Sequence, residues 1–345
     1  MTLATTPDRA RSPRAVPSRG WFLTGLVLLV LVLFVASLAV GRAPLPVRQA
    51  LADVLHGRTT LASLVLLEIR LPRALLGLLV GMSLGLAGAA MQGLLRNPLA
   101  EPGVVGVSGC AAFGAVLAFY TGLSVTVPLA LPLGGIAGAL LAVGLLALLT
   151  GRQASTLTLI LAGVALNSLA GALTALALNL APNPYAALEI IFWLMGSLAD
   201  RSLQHVLLVL PLMLVGWGLL LHTAQALDGL TLGEDTARSL GVRLGRLQLQ
   251  LVVGTALAVG SAVAVTGTIG FVGLVVPHLL RPLVSYQPGR LLLASALGGA
   301  ALTLAADSAV RLLTVGPELK LGVVTALLGA PFFLALLHRL RRETL

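Results

Sequence analysis

Long runs of residues without any charge constrain this chain more than any other feature. Residues 102–151 contain no Asp, Glu, Lys or Arg, and residues 20–41 and 247–280 are uncharged as well. A helix needs about 20 apolar residues to cross the hydrocarbon core of a bilayer. Because the runs lack the two-residue alternation of a transmembrane β-strand, they predict helices rather than a closed barrel. We therefore expect an all-α polytopic membrane protein.

The composition agrees with this fold class. The chain is 58% hydrophobic and 10% charged, with a mean hydropathy of +1.02, whereas soluble domains carry about 25% charged residues. The net charge of +10 is attributed to cations that flank membrane helices rather than to nucleic-acid binding. A single cysteine, Cys110, excludes a disulfide within the chain and argues against a thiolate metal site. No metal site is expected.

Charges, prolines and glycines divide the chain into ten predicted spans. Residues 1–20 are predicted to form a disordered cytosolic tail, and residues 21–345 a single transmembrane permease domain. The first apolar run is longer than the roughly 15-residue core of a signal peptide, so we interpret it as a span. A short helix at 186–200 is expected to be re-entrant or to lie at the surface. The spans are predicted near 21–41, 74–94, 104–120, 127–150, 156–179, 203–222, 248–267, 271–285, 291–309 and 321–338.

Ten spans place both termini on the same side of the membrane. With the termini in the cytoplasm, 14 of the 22 basic residues are cytosolic, as the positive-inside rule favours. The bias is moderate because residues 42–73 hold five of the other eight. The 14 residues are Arg9, Arg11, Arg14, Arg19, Arg96, Arg152, Arg238, Arg243, Arg246, Arg281, Arg290, Arg339, Arg341 and Arg342.

Charged residues at the predicted outer side have two interpretations each. Arg70 and Arg73 flank a Leu-Pro pair at the start of span 2, where proline suits the first helical turn. They either snorkel to the interface or dock an acidic partner, with Arg311 as a possible third member. Asp307 is the one acid expected within a span. It is either a functional intramembrane acid or the structural partner of Arg311, four residues further along the helix.

A charged insert at 228–246 separates spans 6 and 7. It contains the tract LGEDTARSLGV, which predicts a short helix. Glu234 and Asp235 lie near the start of this helix, where the helix dipole favours anions, and Gly241 is placed to end it. The insert is either a connector at the membrane interface or the docking site of a soluble partner.

Motifs for chemistry or for an internal energy source are missing from the sequence. It has no G-x-x-x-x-G-K-[ST] phosphate loop, and the surroundings of its single lysine, Lys320, do not fit one. H-E-x-x-H, G-x-S-x-G and a relay of intramembrane carboxylates or histidines are also missing. A carrier of this kind needs an energised partner. Two rival hypotheses stay open: a secondary carrier driven by H⁺ or Na⁺ through Asp307, and a membrane-embedded scaffold or enzyme without cargo.

Seven segments form a combined pattern from about residue 60 to residue 340. They are Arg70–Arg73, Arg96–Pro102, Leu161–Leu166, Trp193–Gly196, Leu232–Val242, Gly270–His278 and Gly322–Phe333. In this order they resemble the FecCD/BtuC-type permeases, the membrane subunits of type II ABC importers for iron siderophores, haem or vitamin B12. One departure is Lys320, where the family often has proline, which concerns the geometry of the last outer loop.

The resemblance implies a ten-helix subunit in the bacterial inner membrane. It implies a dimer with a second copy or a homologous permease, two cytosolic ABC ATPase subunits that use ATP and Mg, and a periplasmic binding protein. The lipid bilayer is the expected surroundings, and neither nucleic acid nor a bound cofactor is expected for this chain. The implied cargo is a metal chelate moved from periplasm to cytoplasm, most often a ferric siderophore, with haem and cobalamin open.

The resemblance also assigns roles to individual residues. It implies that Arg70, Arg73 and Arg311 dock the binding protein and that Ser155 and Thr156 form the inner gate. No catalytic residue is implied. The tract that couples to the ATPase is expected to comprise Leu232, Gly233, Glu234, Asp235, Thr236, Ala237, Arg238, Ser239, Leu240, Gly241 and Val242.

Overall fold

The structure is a computed structural model that describes residues 19–41, 46–151, 155–313 and 316–343. Every regular element within these ranges is a helix, which confirms the predicted all-α class. In the described ranges, seven helices are long and apolar enough to cross a membrane, and four shorter apolar helices accompany them. Most of the predicted tail, residues 1–18, lies outside the described residues.

The described helices follow one another through the whole chain. The first nine are α1 (Arg19–Ala39), α2 (Val47–Leu55), α3 (Leu61–Leu64), α4 (Leu71–Leu95), α5 (Val107–Tyr120), α6 (Leu123–Thr126), α7 (Ala130–Thr150), α8 (Thr156–Asn179) and α9 (Pro184–Leu194). The others are α10 (Leu203–His222), α11 (Ala224–Leu230), α12 (Glu234–Ser239), α13 (Leu244–Thr255), α14 (Ser261–Thr266), α15 (Val272–Leu280), α16 (Pro288–Leu313) and α17 (Leu321–Glu343).

Two π-helical turns lie within continuous helices, and the first carries span 2 past the charges and the proline that suggested a boundary. One turn, Val65–Arg70, joins α3 to α4, and the other, Ala256–Gly260, joins α13 to α14. The second span, predicted to begin near residue 74, is therefore part of a continuous helix that begins at Leu61. Pro72 lies in the first turn of α4. Proline removes one backbone donor, and the wider π turn before it lets the helix continue.

Predicted and observed spans agree closely elsewhere. Spans 5 and 6 coincide with α8 and α10. Spans 3, 8 and 10 correspond to shorter apolar helices, Val107–Tyr120, Val272–Val284 and Leu321–Leu336. The segment predicted to be re-entrant or superficial contains α9, the fourth of the short apolar helices.

Glycine breaks the uncharged stretch 247–280 at the predicted place. α14 ends at Thr266, and Gly267 follows with a φ of +72°, which glycine adopts without steric cost. A Cβ at Gly267 would also collide with the carbonyl oxygen of Trp193. Phe271, with a φ of +67°, then leads into α15.

The centre of the bundle is an antiparallel pair formed by α4 and α16. Gly81 of α4 lies against Gly299 of α16, and Gly85 lies against Ser295. A Cβ at Gly85 would enter the van der Waals radius of the Ser295 carbonyl oxygen. Small residues let membrane helices approach to backbone contact. In the most apolar 18-residue stretch of the Leu61–Leu95 helix, 83% is buried inside the protein.

The outer layer of the bundle exposes apolar side chains. In the most apolar 18-residue stretch of α1, only 11% is buried inside the protein. The corresponding figure for α8 is 22%. Leucines such as Leu161 on α8 are exposed. Such faces suit contact with lipid or with another membrane subunit, since neither requires polar side chains.

The close α4–α16 pairing predicts that Gly85→Ala lowers the thermal unfolding temperature of the detergent-solubilised protein. Overpacking costs about 1–3 kcal/mol, more than the gain of about 1 kcal/mol that alanine brings to a helix. The matched control is Gly144→Ala in α7, where an added Cβ would meet nothing within 4 Å. We expect the control to unfold at the wild-type temperature or above. Equal unfolding temperatures for Gly85→Ala and the control would contradict the close contact.

Candidate functional site

Five ionised side chains form an arginine cluster at the end of the bundle where α4 begins and α16 ends. The cluster consists of Arg70, Arg73, Asp307, Arg311 and Glu318. Nη2 of Arg73 lies 2.8 Å from Oδ1 of Asp307, and Arg73 also pairs with the Glu318 carboxylate. Nη2 of Arg311 lies 3.0 Å from Oδ2 of Asp307. Asp307, whose side chain is 2% exposed, is therefore shared by two guanidinium groups.

Two arginines of the cluster also bind the carboxyl end of α1. Arg70 donates to the carbonyl oxygens of Leu38 at 2.9 Å and Ala39 at 2.6 Å. Arg311 donates to the carbonyl oxygen of Ser37 at 2.9 Å and to its hydroxyl at 2.6 Å. The last carbonyls of a helix have no partner within the helix, and cations are stabilising there. The cluster thus ties α1, α4 and α16 together.

The three arginines predicted to dock a binding protein lie together, as the resemblance implies. Arg70 and Arg311 are 4% and 7% exposed, and each of the three has partners within this chain. The structural pairing of Asp307 with Arg311 is confirmed. The contacts of Arg73 with Asp307 and Glu318 were not predicted, because they join residues more than 230 positions apart. Docking by these arginines stays a prediction.

A cavity of about 960 Å³ opens beside the arginine cluster. Four members of the cluster, all except Asp307, line it, together with the loop between α9 and α10 and the residues before α17. Basic side chains outnumber acidic ones in its wall, so its field favours anionic groups. The charged residues are Glu68, Arg70, Arg73, Asp200, Arg201, Arg311, Glu318 and Lys320.

The coupling segment, Leu232–Val242, lies at the opposite end of α16. Its helix, α12, carries Glu234 and Asp235 in the first turn, as predicted. It ends before Gly241, which has a φ of +88°, so the predicted stop is confirmed. Arg238 pairs with Asp235 at 3.0 Å within the helix. The Asp235 side chain is 98% exposed, whereas Ala237 is fully buried, so one side of α12 is seated on the bundle and the other is open.

The predicted gate touches the coupling segment. The hydroxyl of Thr156, at the start of α8, donates to Oε1 of Glu234 at 3.4 Å. Nε2 of Gln248 on α13 donates to the same hydroxyl at 3.3 Å. Ser155 caps α8 by accepting a hydrogen bond from the backbone of Thr158 at 3.1 Å. The sequence pattern indicated neither Gln248 nor the Glu234 contact, since both depend on tertiary packing.

In the described part of the chain, no three His, Cys, Asp or Glu side chains lie close enough to hold a metal ion. His205 instead meets the Ser202 hydroxyl at 3.0 Å. His278 stacks edge-on against Phe332, with ring centroids 5.7 Å apart.

Comparison with protein families decides what kind of protein this is. The model of the FecCD transport family matches residues 28–339, which include the arginine cluster, the gate and the coupling segment. The chain belongs to the FecCD transport family. It is thus a multi-span transport permease, as the resemblance implied.

Curated relatives cover nearly the whole FecCD chain. The vitamin B12 import system permease protein BtuC of Klebsiella pneumoniae is 42% identical over 94% of this chain and 95% of its own length. The ferric enterobactin permease FepD of Escherichia coli is 39% identical, covering 92% of this chain and 95% of its own length. The hemin permease HmuU of Yersinia pestis is 36% identical, covering 92% and 97%.

A solved structure has the same fold. It is described as an inward-facing conformation of a putative metal-chelate type ABC transporter. It is 34% identical to this chain, covers 93% of it and 99% of its own length, and has a TM-score of 0.81. The ABC permease fold is therefore shown.

The shared carboxylate predicts that Asp307→Asn destabilises the permease strongly. The substitution leaves two buried guanidinium groups without their common anion, and breaking a buried pair costs about 3–5 kcal/mol. Thermal unfolding in detergent measures the effect. Glu318→Gln is the matched control, because the Glu318 side chain is 24% exposed, and we expect a smaller loss. If Asp307→Asn unfolds no lower than the control, Asp307 is not the centre of the cluster.

Proposed function

We propose that this permease is the membrane subunit of an ATP-driven importer that moves a ferric siderophore from the periplasm to the cytoplasm. The observation that carries the mechanism is the contact between Glu234 and Thr156. It joins the coupling segment, most of whose polar side chains are open to a partner, to the start of a span. A displacement of α12 therefore acts directly on the inner end of α8, where Ser155 and Thr156 form the gate.

The energy for transport comes from partner subunits. The sequence has no phosphate-binding loop, so two cytosolic ABC ATPase subunits bind ATP with Mg and push on the two coupling segments. This assigns the coupling end of the bundle to the cytoplasm, with both termini on the same side. The excess of arginines on that side agrees with the positive-inside rule, and the membrane is the bacterial inner membrane.

The arginine end faces the periplasm and receives the binding protein. The cavity beside the cluster has a net excess of basic groups, which complements acidic side chains on a partner. Arg70, Arg73 and Arg311 are held in place by Asp307 and by the end of α1, so they are preorganised for such contacts. The exposed apolar face of α8 supports a second permease, identical or homologous, across the transport path.

A ferric siderophore is proposed as the cargo because siderophores are the commonest cargo in this family. The relatives named above are described as permeases for vitamin B12, ferric enterobactin and hemin, and they are 42%, 39% and 36% identical to this chain. Haem and cobalamin are therefore the alternative cargoes. The basic cavity at the arginine end favours an anionic chelate. The ion-driven carrier is less well supported, because Asp307 is buried between two arginines.

Arg238→Ala is expected to weaken transport without unfolding the chain. The pairs that Arg238 makes with Asp235 and Glu234 are exposed, and exposed pairs within a helix contribute about 0.3–0.5 kcal/mol. A contact between Arg238 and the ATPase would contribute more to coupling than these pairs contribute to folding. The assay compares cargo uptake per ATP hydrolysed in proteoliposomes. The matched control is Arg48→Ala in α2, also exposed. Unchanged uptake per ATP for Arg238→Ala would contradict the coupling role.

The cargo is tested by ATP hydrolysis of the assembled transporter in lipid nanodiscs. The probes are periplasmic binding proteins loaded with a ferric siderophore, haem or cobalamin, and each apo binding protein is its control. We expect the ferric siderophore complex to stimulate hydrolysis most. Stronger stimulation by the haem or cobalamin complex would show that haem or cobalamin, and not a ferric siderophore, is the cargo. Uptake driven by an ion gradient in vesicles that lack ATPase subunits would contradict the ATP-driven mechanism itself.

A further inference from the structure

The short helix α11 lies between the coupling segment and the central helix pair. It packs against α12 on one side and against α4 and α16 on the other. Leu227 of α11 is fully buried, and a Cβ at Gly93 of α4 would lie 3.3 Å from its side chain. The coupling segment thus rests on the α4–α16 pair through α11.

Asp228 of α11 joins this helix to the first turn of α16. Its Oδ1 accepts a hydrogen bond from the backbone nitrogen of Gly289 at 2.7 Å, and its Oδ2 accepts one from Nε2 of Gln287 at 3.0 Å. The first backbone donors of a helix have no partner within the helix, and an anion is stabilising there. A Cβ at Gly289 would lie 2.7 Å from Oδ2 of Asp228 and 2.9 Å from the Ala224 carbonyl oxygen. The two helices are therefore in close contact with little room to slide.

The far end of α16 carries the arginine cluster. Gly289 and Asp307 are about 27 Å apart along the helix axis. Between them α16 is pressed against α4 through Gly299 and Ser295, so it has little freedom to bend. A displacement of α11 at one end of α16 therefore moves Asp307 and Arg311 at the other end, together with Arg73, the partner of Asp307.

We infer that Asp228 is a positioning residue that links the ATPase-facing coupling segment to the periplasmic arginine cluster through α16. The inference rests on the proposed function. It explains how a change in the nucleotide bound to the ATPase alters the position of the docking arginines, which lie about 27 Å from the coupling end of α16. Coupling between two sites is reciprocal for binding free energies, so a binding protein on the arginine cluster changes the affinity of the ATPase subunits for nucleotide through the same residue. ATP hydrolysis below saturating ATP reports that change.

A purely structural cap at Asp228 would act differently. Its loss would lower the amount of folded protein, and the hydrolysis rates with and without the binding protein would fall by the same factor. A positioning residue changes the ratio of the two rates. The ratio therefore separates the two roles, and it does not depend on how much protein folds.

The test uses the full chain, assembled with its ATPase subunits in lipid nanodiscs. The probe is the binding protein that stimulates the wild-type transporter most in the cargo experiment. The variants are Asp228→Leu, which removes both hydrogen bonds, and Gln287→Leu, which removes one. Asp228→Asn is the conservative variant, because its oxygen still accepts from Gly289 and the Gln287 amide can turn to pair with its nitrogen. Glu189→Leu, at an exposed position of α9, is the control.

We expect Asp228→Leu to reduce the stimulation ratio about fivefold or more while hydrolysis without the binding protein stays at the wild-type level. Gln287→Leu should reduce the ratio less, and Asp228→Asn and Glu189→Leu should preserve it. If Asp228→Leu does not fold, Gln287→Leu decides. A wild-type ratio in Gln287→Leu and in any folded Asp228→Leu, or an equal fall of both rates, would overturn the inference. A wild-type transporter that no binding protein stimulates would overturn the proposed function as well, which separates the two failures.

Discussion

The Asp307 carboxylate, buried between two guanidinium groups, is the interaction on which the rest of the structure depends. It joins α16 to α4 through Arg73 and pairs with Arg311 on its own helix, and Arg311 in turn binds the end of α1. Two charges taken out of water are stable only when their geometry and hydrogen bonds are complete. Glycine contacts along α4 and α16 supply that geometry, since they bring the two helices to backbone distance. The pair then offers a firm base for α11 and the coupling segment at its other end.

Much of the fold could be predicted from the sequence, because in a membrane the length of an apolar run fixes where a helix lies. The bounds of α8 and α10 follow from the charges and breakers around them. Gly267 also marked its break correctly. The start of the second span was wrong, because Pro72 and the charges near it were interpreted as a boundary and a π turn carries the helix past them. A local change from α-helical to π-helical hydrogen bonding of this kind cannot be read from amino-acid composition.

Several residues of the candidate site could be predicted from the sequence, but most of the contacts that join them could not. A motif pattern named Arg70, Arg73 and Arg311, and helical spacing suggested the partner of Arg311. Glu318, Gln248 and Asp228 were missed as partners of these elements, because their contacts join distant parts of the chain. The sequence suggested arginines that reach outward, whereas the structure buries them among carboxylates and helix-end carbonyls. Their positions are thereby set before any partner arrives.

Labelling of a single introduced thiol tests the central claim most directly, namely that the coupling segment faces the cytoplasm while the arginine cluster faces the opposite side. Asp235→Cys is made in a Cys110→Ala background, because Cys110 is the one native cysteine and the side chain at 235 is 98% exposed. A membrane-impermeant maleimide should label inside-out vesicles and leave intact cells, with their outer membrane made permeable, unlabelled. Rapid labelling in those cells would place the segment in the periplasm and contradict the account.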